Sequence, residues 1–429
     1  MSPAPRAVIV SIGEELLEGR ITDTNAPTFA AELLRLGFLV RGMHTVGDAP
    51  GELRALLERL RGGSDLVLTT GGLGPTADDR VRAEVAALLG VPLEAVPGAT
   101  APLAALYRRQ HASEPPPWFL AQAQVPLGAL PLANAAGTAW AFACELGAGT
   151  RLMCLPGPPR EGASSFHQGG GAAYLTERFG GDHDLAFGTF HSSGAPESAV
   201  EAKVRDLLEA GTNPRLGITA GGGRVTLSVL AWSEGVETAA EVLARTAGEL
   251  RRRLGELLWG QDDESLEGVV VRELAARRQT VATAESCTGG RIAAALTRVP
   301  GASEVFGHGW VCYADAAKTA ELGVPPALLA AHGAVSAEVA AAMAAGARAR
   351  SGADWALSTT GVAGPGGGSR DKPVGLVYLG LAGPAGSRVL RRKQYARAGR
   401  SGVQGQTVRD ALEALRREIL GFSPLGDRD

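Results

Sequence analysis

The stretch DLVLTTGGLGPTADD, residues 65–79, indicates the fold class of the first part of the chain. It opens with an apolar run that is typical of a buried strand, and its glycines place a sharp turn directly after that run. Residues 80–89 then return to helical spacing. The apolar run at 7–12 and the helical pattern at 28–36 show the same order. Alternation of this kind predicts a parallel α/β sheet.

The rest of the chain divides into two further segments. Residues 162–173, GASSFHQGGGAA, are rich in glycine and indicate a linker or a loosened helix start. Helical patterns at 196–210 and 236–257 surround a strand-like run at 224–232, which predicts a small α+β domain. The last segment carries a second α/β pattern with motifs unlike those of the first. The predicted domains are residues 1–171, 172–262 and 265–429.

Composition and charge limit the class of protein. The chain has 429 residues, 45% of them hydrophobic, and a net charge of −3 without a block of lysine or arginine. This charge argues against nucleic acid as a partner. No apolar run approaches the roughly 18 residues of a membrane helix, the start lacks a signal-peptide core, and four cysteines form no disulfide pattern. We therefore expect a cytoplasmic protein that does not bind membranes.

The loop after the strand at 65–70 has the composition of a phosphate site. Gly71, Gly72 and Gly74 allow backbone N–H groups to approach an anion near a helix start. Asp78 and Asp79 follow one turn later, where a divalent cation that bridges a pyrophosphate would need oxygen ligands. The alternative is a tight turn whose two acidic residues favour the helix dipole.

Polar residues elsewhere in the first segment belong to the same predicted site. The acidic pair Glu14–Glu15 and Asn25 come just after the first strand, at the carboxyl edge of the predicted sheet. Open α/β sheets bind ligands at that edge. We therefore add three residues to the phosphate loop, namely Glu14, Asn25 and Thr76.

A serine at a strand end marks a second candidate site. Ser286 follows the strand-like run at 280–285 and precedes Thr288, Gly289 and Gly290. This position exposes a hydroxyl and gathers backbone N–H groups near it, which suits a nucleophile with an oxyanion hole. The alternative is that Ser286 or Thr288 only caps the next helix.

A nucleophilic serine needs a base, and the seven histidines form no motif that would supply one. Lys318, five residues after Tyr313, is the candidate, because only four of the 42 basic residues are lysines and arginine cannot act as a base. A desolvated site would favour the uncharged amine that a base requires. Tyr313 could relay the proton or orient the amine. Cys287 is a rival nucleophile.

A second glycine loop, TTGVAGPGGGS at 359–369, follows another predicted strand. Its backbone amides could surround a ligand phosphate or ribose, and Thr360, Gly361 and Gly364 are its candidate contacts. Arg400, just before the last predicted helix, could clamp a phosphate group.

These motifs resemble those of the CinA family. The resemblance covers nearly the whole chain and is carried by the following stretches: SIGEELLEG (11–19), TNA (24–26), TTGGLGPTADD (69–79), LPGPP (155–159), AESCTGG (284–290), Tyr313-x4-Lys318, HGAVS (332–336), TTGVAGPGGGS (359–369) and KPVG (372–375).

The resemblance implies two enzymatic domains joined by a KH-like domain. The first has the fold of MoaB/MogA-type molybdopterin-binding proteins and is associated with hydrolysis of ADP-ribose to AMP and ribose 5-phosphate. That reaction uses a divalent metal of the magnesium, manganese or cobalt class, with potassium as a further candidate. The last is similar to nicotinamide mononucleotide deamidase, which forms nicotinate mononucleotide and ammonia without a cofactor.

The resemblance also implies roles for single residues. In the deamidase the serine of SCTGG is the nucleophile and the lysine of Tyr-x4-Lys is the base, which correspond to Ser286 and Lys318 beside Tyr313. Thr360 and Arg400 correspond to substrate contacts. We expect a homodimer that binds these small nucleotides.

The chain departs from the family pattern at one position. The family usually has methionine after the glutamate of its PG-x-P-x-E-M segment, whereas Gly162 follows Glu161 here. The middle segment also lacks a G-x-x-G nucleic-acid clamp, which argues against RNA binding there.

A second hypothesis is a protein that holds a nucleotide or molybdopterin without turnover, as a scaffold in DNA uptake or repair.

Overall fold

The computed structural model describes residues 4–180, 184–392 and 399–426. The chain forms two compact units, divided after Phe187. The first unit also contains Trp232–Ala240, and the second contains Gly188–Ala231 and the residues from Glu241 onward. Among the described residues, every helix is too short or too polar to span a bilayer.

The first unit is built from eight strands and eight helices. Its strands are β1 (Arg6–Ile12), β2 (Leu39–Val46), β3 (Leu66–Thr70), β4 (Leu93–Ala95), β5 (Gln124–Pro126), β6 (Leu130–Leu132), β7 (Ala141–Gly147) and β8 (Thr150–Leu155). Its helices are α1 (Glu14–Leu17), α2 (Asn25–Arg35), α3 (Glu52–Leu60), α4 (Val81–Leu89), α5 (Thr100–His111), α6 (Pro117–Leu120), α7 (Pro159–His167) and α8 (Gly171–Phe179).

Six of these strands form a mixed sheet in the order β2-β1-β3-β8-β7-β6. The strands β2, β1, β3 and β8 are parallel, whereas β7 and β6 are antiparallel. The prediction of a parallel sheet is therefore wrong for β7 and β6. Only Ala148 and Gly149 separate β7 from β8, and a connection this short can join only antiparallel strands.

The glycine-rich stretch at 162–173 contains the end of one helix and the start of the next, so of the two alternatives the linker is wrong. Residues 162–167 lie in α7 and 171–173 in α8, with a turn at 168–170, and Leu175 of α8 is buried in the same core as Phe29. A Cβ atom at Gly162 would lie 3.2 Å from the ring of Phe29 and 3.0 Å from the carbonyl oxygen of Pro156. Glycine is needed here for close packing, which composition alone does not distinguish from flexibility.

The described residues from 184 onward form nine further strands and eight helices. The strands are β9 (Leu185–Ser192), β10 (Arg215–Gly221), β11 (Arg224–Trp232), β12 (Leu258–Gln261), β13 (Val281–Glu285), β14 (Phe306–Val311), β15 (Trp355–Gly361), β16 (Val377–Gly383) and β17 (Gly386–Arg392). The helices are α9 (Glu197–Glu209), α10 (Ala239–Leu254), α11 (Leu266–Arg277), α12 (Arg291–Thr297), α13 (Asp315–Leu322), α14 (Pro326–His332), α15 (Ala337–Ser351) and α16 (Gly399–Leu420).

The middle of the chain forms a four-stranded sheet in the order β10-β11-β9-β12. Val200 and Val204 of α9, one turn apart, pack with Leu250 of α10 against Leu227 of β11. The predicted α+β character of this segment is confirmed.

The last segment has a five-stranded sheet in the order β14-β13-β15-β16-β17. The first three strands are parallel, and β16 and β17 are antiparallel additions. Met343 of α15 belongs to a core on one face, whereas Leu412 and Leu415 of α16 belong to a core on the other face. The predicted fold class is confirmed, because two α/β domains with different topologies are joined by a small α+β domain.

A buried ion network connects α16 to the turn that precedes β12 of the middle sheet. Arg416 and Arg417 both donate to the buried carboxylate of Glu413 at 2.7–2.8 Å. Arg416 also donates to the carbonyl oxygen of Glu256 at 2.6 Å. The middle and last domains of the second unit are thus held together by polar contacts that exclude water.

Candidate active sites

The first candidate site is a cavity of about 560 Å³ at the carboxyl edge of the first sheet. The loops that follow β1, β3 and β8 supply its walls through Gly13, Gly71–Pro75 and Pro156–Pro159. This is the edge at which open α/β sheets bind ligands.

The glycines of the first loop are required by its shape. Gly71 and Gly72 have φ angles of 110° and 64°, which L side chains rarely adopt. A Cβ atom at Gly71 would overlap the carbonyl oxygen of Ile12, and one at Gly72 would lie 2.5 Å from the side chain of Val81. The loop therefore passes close to β1 and α4.

Asn25 connects the loops of this cavity. Its amide donates to the hydroxyl of Thr70 at 2.8 Å and to the carbonyl oxygen of Gly157 at 2.6 Å. The carboxylate of Asp23 accepts from the backbone N–H groups of Asn25 and Ala26 at 2.9 and 3.0 Å, which caps α2. Asp23 was not among the predicted site residues, although an aspartate just before a helix is a recognisable capping signal.

The charge in this cavity is entirely negative. Among its described lining residues there is no lysine, arginine or histidine. The acidic residues that line it are Glu15, Asp23, Asp48, Asp78, Asp79 and Glu161. An anionic ligand would meet only carboxylates and neutral groups, so a cation is needed to balance its charge.

The pKa of Asp48 shows the effect of placing these carboxylates close together. Partial burial, together with the charges of Asp78, Glu15 and Glu14, raises the pKa of Asp48 despite a hydrogen bond from the backbone of Glu14. That bond is 2.9 Å long, and the backbone of Asp48 donates in return to the Glu14 carboxylate at 3.4 Å. Glu14 is thus turned toward Asp48, and it is Glu15 that lines the cavity.

The two predicted metal ligands differ in their environment. Asp79 accepts hydrogen bonds from the backbone and the hydroxyl of Thr76 at 2.8 and 2.5 Å, which fixes the loop. The Thr76 hydroxyl holds the pKa of Asp78 below its ordinary value. Within the described part of the chain, no three His, Cys, Asp or Glu side chains converge as a complete metal site.

The second candidate site lies where three neighbouring strands of the last sheet end. Ser286 follows β13, and its backbone N–H donates to the carbonyl oxygen of Thr359 in β15 at 2.9 Å. On the other side, the backbone of Cys312, just beyond β14, donates to Glu285 at 2.8 Å. Ser286 follows β13, Lys318 lies in α13 after β14, and Thr360 lies near the end of β15, so all three share one edge of the sheet.

Glu285 explains why Ser286 is not a helix cap. The N-cap of α12 is Gly290, and its side chain makes no capping bond. Instead the buried Glu285 carboxylate accepts from the backbone of Ile292 at 3.0 Å and of Ala293 at 2.8 Å. The helix-cap alternative for Ser286 is therefore wrong. The signal in the sequence was a glutamate in an otherwise apolar strand, directly before a glycine turn.

The hydroxyls around Ser286 are buried. Ser286 itself is 8% exposed, and Thr288 shares a 2.7 Å hydrogen bond with Thr359. The hydroxyl of Thr360 donates to the carbonyl oxygen of Ala334 at 2.7 Å, so only its lone pairs remain for a ligand. Gly361 is a packing glycine, since a Cβ atom there would lie 2.7 Å from the carbonyl oxygen of Leu376.

Lys318 is buried as predicted, but it is also paired. The residue is 1% exposed, and its ammonium donates to the carboxylate of Asp315 at 3.1 Å and to the carbonyl oxygen of Tyr313 at 3.2 Å. The Asp315 side chain is 60% exposed. The expectation of a purely desolvated amine is thus wrong, because the amine is paired with a carboxylate one helical turn away.

Arg400 joins the remaining predicted residues. It lies in the first turn of α16 rather than before that helix, and it donates to the carbonyl oxygen of Gly364 at 2.8 Å and to the Tyr313 hydroxyl at 3.0 Å. Tyr313 therefore meets Lys318 through its backbone and Arg400 through its hydroxyl. This arrangement does not support a proton relay through the Tyr313 hydroxyl.

The rival nucleophile has unfavourable chemistry. Burial raises the pKa of the Cys287 thiol to about 12, despite a hydrogen bond with Thr359. The reactive form of cysteine is the thiolate, so a thiol with this pKa is inert near neutral pH. Ser286 is the better candidate.

Models of protein families match all three domains. The "Probable molybdopterin binding domain" matches residues 8–170, the "Damage-inducible protein CinA KH domain" matches 189–260, and the "CinA C-terminal domain" matches 263–419.

Relatives match over nearly their full length. A CinA-like protein of Gloeobacter violaceus is 38% identical and covers 99% of both chains. A protein of Symbiobacterium thermophilum named as competence-damage inducible is 40% identical and covers 97% of this chain and 99% of that one.

Solved structures match single domains. The competence/damage inducible protein CihA from Agrobacterium tumefaciens is 44% identical over 35% of this chain and 91% of that chain, with a TM-score of 0.34. The molybdopterin biosynthesis enzyme MoaB from Thermus thermophilus is 25% identical over 41% of this chain and 98% of that chain, with a TM-score of 0.27. With its MoaB-like, KH-like and C-terminal domains in this order, the chain belongs to the CinA family.

Proposed function

We propose that this protein is a hydrolase of pyridine-nucleotide salvage with two active sites. The second site would deamidate nicotinamide mononucleotide to nicotinate mononucleotide and ammonia. The first would hydrolyse ADP-ribose to AMP and ribose 5-phosphate.

One arrangement carries the deamidase proposal. A serine hydroxyl, a buried lysine and an arginine that spans Tyr313 and the second glycine loop lie at the same edge of one sheet. The serine and the lysine supply a nucleophile and a base. The arginine suits the 5′-phosphate of the substrate, because its planar group can hold two phosphate oxygens.

The reaction follows from these groups. Lys318 accepts the proton of Ser286, whose oxygen bonds to the carboxamide carbon and converts the carbonyl oxygen into an oxyanion. Collapse of this intermediate breaks the carbon–nitrogen bond, and Lys318 returns the proton to the nitrogen, which leaves as ammonia. Water then attacks the ester in the same way and releases the carboxylate product and the serine.

The oxyanion needs preorganised donors. The backbone N–H of Gly289 already donates to the carbonyl oxygen of Ser286 at 3.2 Å, which holds the turn in place. We therefore assign the oxyanion to the N–H of Gly290, at the start of α12. A donor of this kind contributes about 3–4 kcal/mol of transition-state stabilisation.

The pairing of Lys318 with Asp315 sets a requirement on this mechanism. A base must present a lone pair to the Ser286 hydroxyl, whereas the Lys318 ammonium here donates to the Asp315 carboxylate. Asp315 is exposed, so water screens its charge in the free protein. The proposal therefore requires this ion pair to open when the substrate binds.

The deamidase proposal is tested by ammonia release from nicotinamide mononucleotide. The wild-type chain should release ammonia, Ser286→Ala should abolish the release, and the neighbouring Cys287→Ala should retain it. Full activity of Ser286→Ala would overturn the assignment of the nucleophile. Loss of activity in Cys287→Ala, with the fold intact, would instead favour the thiol.

The acidic cavity supports the proposal for the first site. Its six carboxylates and missing basic side chains fit a divalent cation that also contacts substrate phosphates, because magnesium takes only one or two carboxylates and keeps other positions for phosphate and water. Asp78 and Asp48 would hold the cation, and phosphate oxygens and water would complete its coordination, while Asp79 holds the loop through Thr76. The cation would supply charge neutralisation for the pyrophosphate.

Incubation with ADP-ribose and a divalent cation tests this second activity. Formation of AMP supports hydrolysis. Tight binding of ADP-ribose without AMP would favour the alternative of a nucleotide-binding scaffold.

A further inference from the structure

A pocket of about 360 Å³ lies in the second unit, between the middle sheet and the last domain. The middle sheet contributes Ser193, Trp259 and the glycine turn Gly221–Gly223 between β10 and β11. The last domain contributes the start of α11 and Arg409 of α16. The pocket lies apart from the loops that carry Ser286 and Lys318.

Two uncharged side chains in its wall each carry a buried polar atom without a hydrogen-bond partner. These atoms are the hydroxyl oxygen of Ser193 and the indole nitrogen of Trp259, and the two residues are only 7% and 9% exposed. Buried polar atoms are nearly always paired, so two orphans in one pocket wall call for an explanation. The neighbouring Ser192 is also buried, but its hydroxyl donates to Val225 at 3.1 Å.

The surroundings of these two atoms favour a negative ligand. The guanidinium of Arg409 lines the pocket, and a Cβ atom at Gly223 would lie 2.9 Å from its Nε, so glycine allows this close approach. The twelve-residue helix α11 begins here with Ser265 as its N-cap, and the positive end of its dipole faces the same space. The one acidic residue in the wall, Glu267, makes an ion pair with Arg298 at 3.5 Å.

We propose that this pocket binds the phosphate group of a small molecule. An indole N–H can only donate, so the ligand must present an acceptor oxygen to Trp259. The Ser193 hydroxyl and the Arg409 guanidinium supply further donors, and charge-assisted bonds to phosphate are the strong ones. A ligand held here would contact both domains of the second unit and would strengthen their association.

Calorimetric titration of the full chain with inorganic phosphate tests the proposal. All variants carry Arg400→Gln, so that phosphate binding at the deamidase site does not contribute. We expect Ser193→Ala and Trp259→Phe each to weaken phosphate binding by roughly tenfold or more, because each removes one donor. The matched control Ser192→Ala should leave the affinity unchanged.

Thermal unfolding separates a ligand site from a structural role. Without ligand, Ser193→Ala should not lower the melting temperature, because no hydrogen bond is lost, whereas Ser192→Ala should lower it. Phosphate should raise the melting temperature of the Ser192→Ala protein but not of the Ser193→Ala protein.

A parallel titration with ribose 5-phosphate distinguishes a phosphomonoester from the free ion. Tighter binding of either ligand that is lost in Ser193→Ala supports the site and identifies its preferred source of phosphate. The proposal is overturned if neither ligand binds, or if both bind Ser193→Ala as well as they bind the Ser192→Ala control. This result is independent of ammonia release, so it leaves the proposed deamidase untouched.

Discussion

The two glycine loops of this chain follow strands in the same way, but the side chains around them have opposite charge. TTGGLGP at 69–75 and TTGVAGP at 359–365 each follow a buried strand and turn at the carboxyl edge of a mixed sheet. Around the first loop there are six carboxylates and no basic side chain among the described lining residues. Around the second there are Lys318 and Arg400.

The glycine loop by itself therefore does not determine the chemistry of its site. A glycine turn after a strand positions backbone groups, whereas the side chains that other strands bring to the same edge decide which ligand is stable there. In the proposed function, the first site takes an added cation and the second uses its own lysine as base. The experiments below test that contrast.

Replacement of Lys318 should separate the two sites most strongly. We expect Lys318→Met to lower kcat for ammonia release by about 10²–10⁴-fold, because general base catalysis contributes that much. ADP-ribose hydrolysis should not change. Ammonia release and AMP formation by the same preparation provide the measurement.

The exposed Lys203 offers a matched control for that substitution. Lys203→Met, on α9, should leave both activities at the wild-type level. If Lys318→Met kept its deamidase activity while circular dichroism showed an intact fold, the base would have to be sought elsewhere.

Removal of divalent cations should have the opposite selectivity. A chelator is expected to stop AMP formation and to leave ammonia release unchanged, because only the acidic cavity depends on an added cation. Asp79→Asn should cut ADP-ribose hydrolysis by roughly 10- to 100-fold, as is typical when a residue that supports a metal is altered. Equal loss of both activities on chelation would remove the contrast between the sites.

Arg400 tests how the second site holds its substrate. Arg400→Lys keeps the charge but loses the planar group that contacts both Gly364 and Tyr313. We expect KM for nicotinamide mononucleotide to rise by about tenfold with a smaller change in kcat. A change confined to kcat would place Arg400 near the reacting bond instead of the phosphate.

Substitution of Asp48 has the smallest expected effect, and it changes the stability of the protein. Its pKa is raised in the folded protein, so the native state binds more protons and its stability falls as pH rises through the range between the unfolded and folded pKa values. Asp48→Asn should therefore stabilise the cation-free protein at neutral pH, by about 0.5 kcal/mol or less. Chemical denaturation with and without magnesium measures this effect, and magnesium should stabilise the wild type more than the variant.

The sequence was sufficient for the elements that depend on local pattern. The strands before both glycine loops and the position of Ser286 at a strand end follow from apolar runs and glycines. The N-cap of α15 is of the same local kind, because the hydroxyl of Ser336 accepts from the backbone of Val339 at 3.3 Å.

The missed features depend on contacts between distant segments or on side-chain direction. Asp48 belongs to the first site only because β2 lies next to β1, which the order of residues does not show. Glu285 looks like a strand residue until the start of α12 is placed over it. Asp315 lies only three residues before Lys318, but the burial that makes this ion pair important appears only in the folded chain.

Rescue of Lys318→Ala by an added primary amine is the sharpest test of the assigned base. If Lys318 is the base, methylamine should restore part of the nicotinate mononucleotide formation that Lys318→Ala has lost, because it supplies the missing amine. The measurement compares this variant with Ser286→Ala, which methylamine should not rescue, in the presence of a chelator. Equal rates of Lys318→Ala with and without methylamine would contradict the assignment of Lys318.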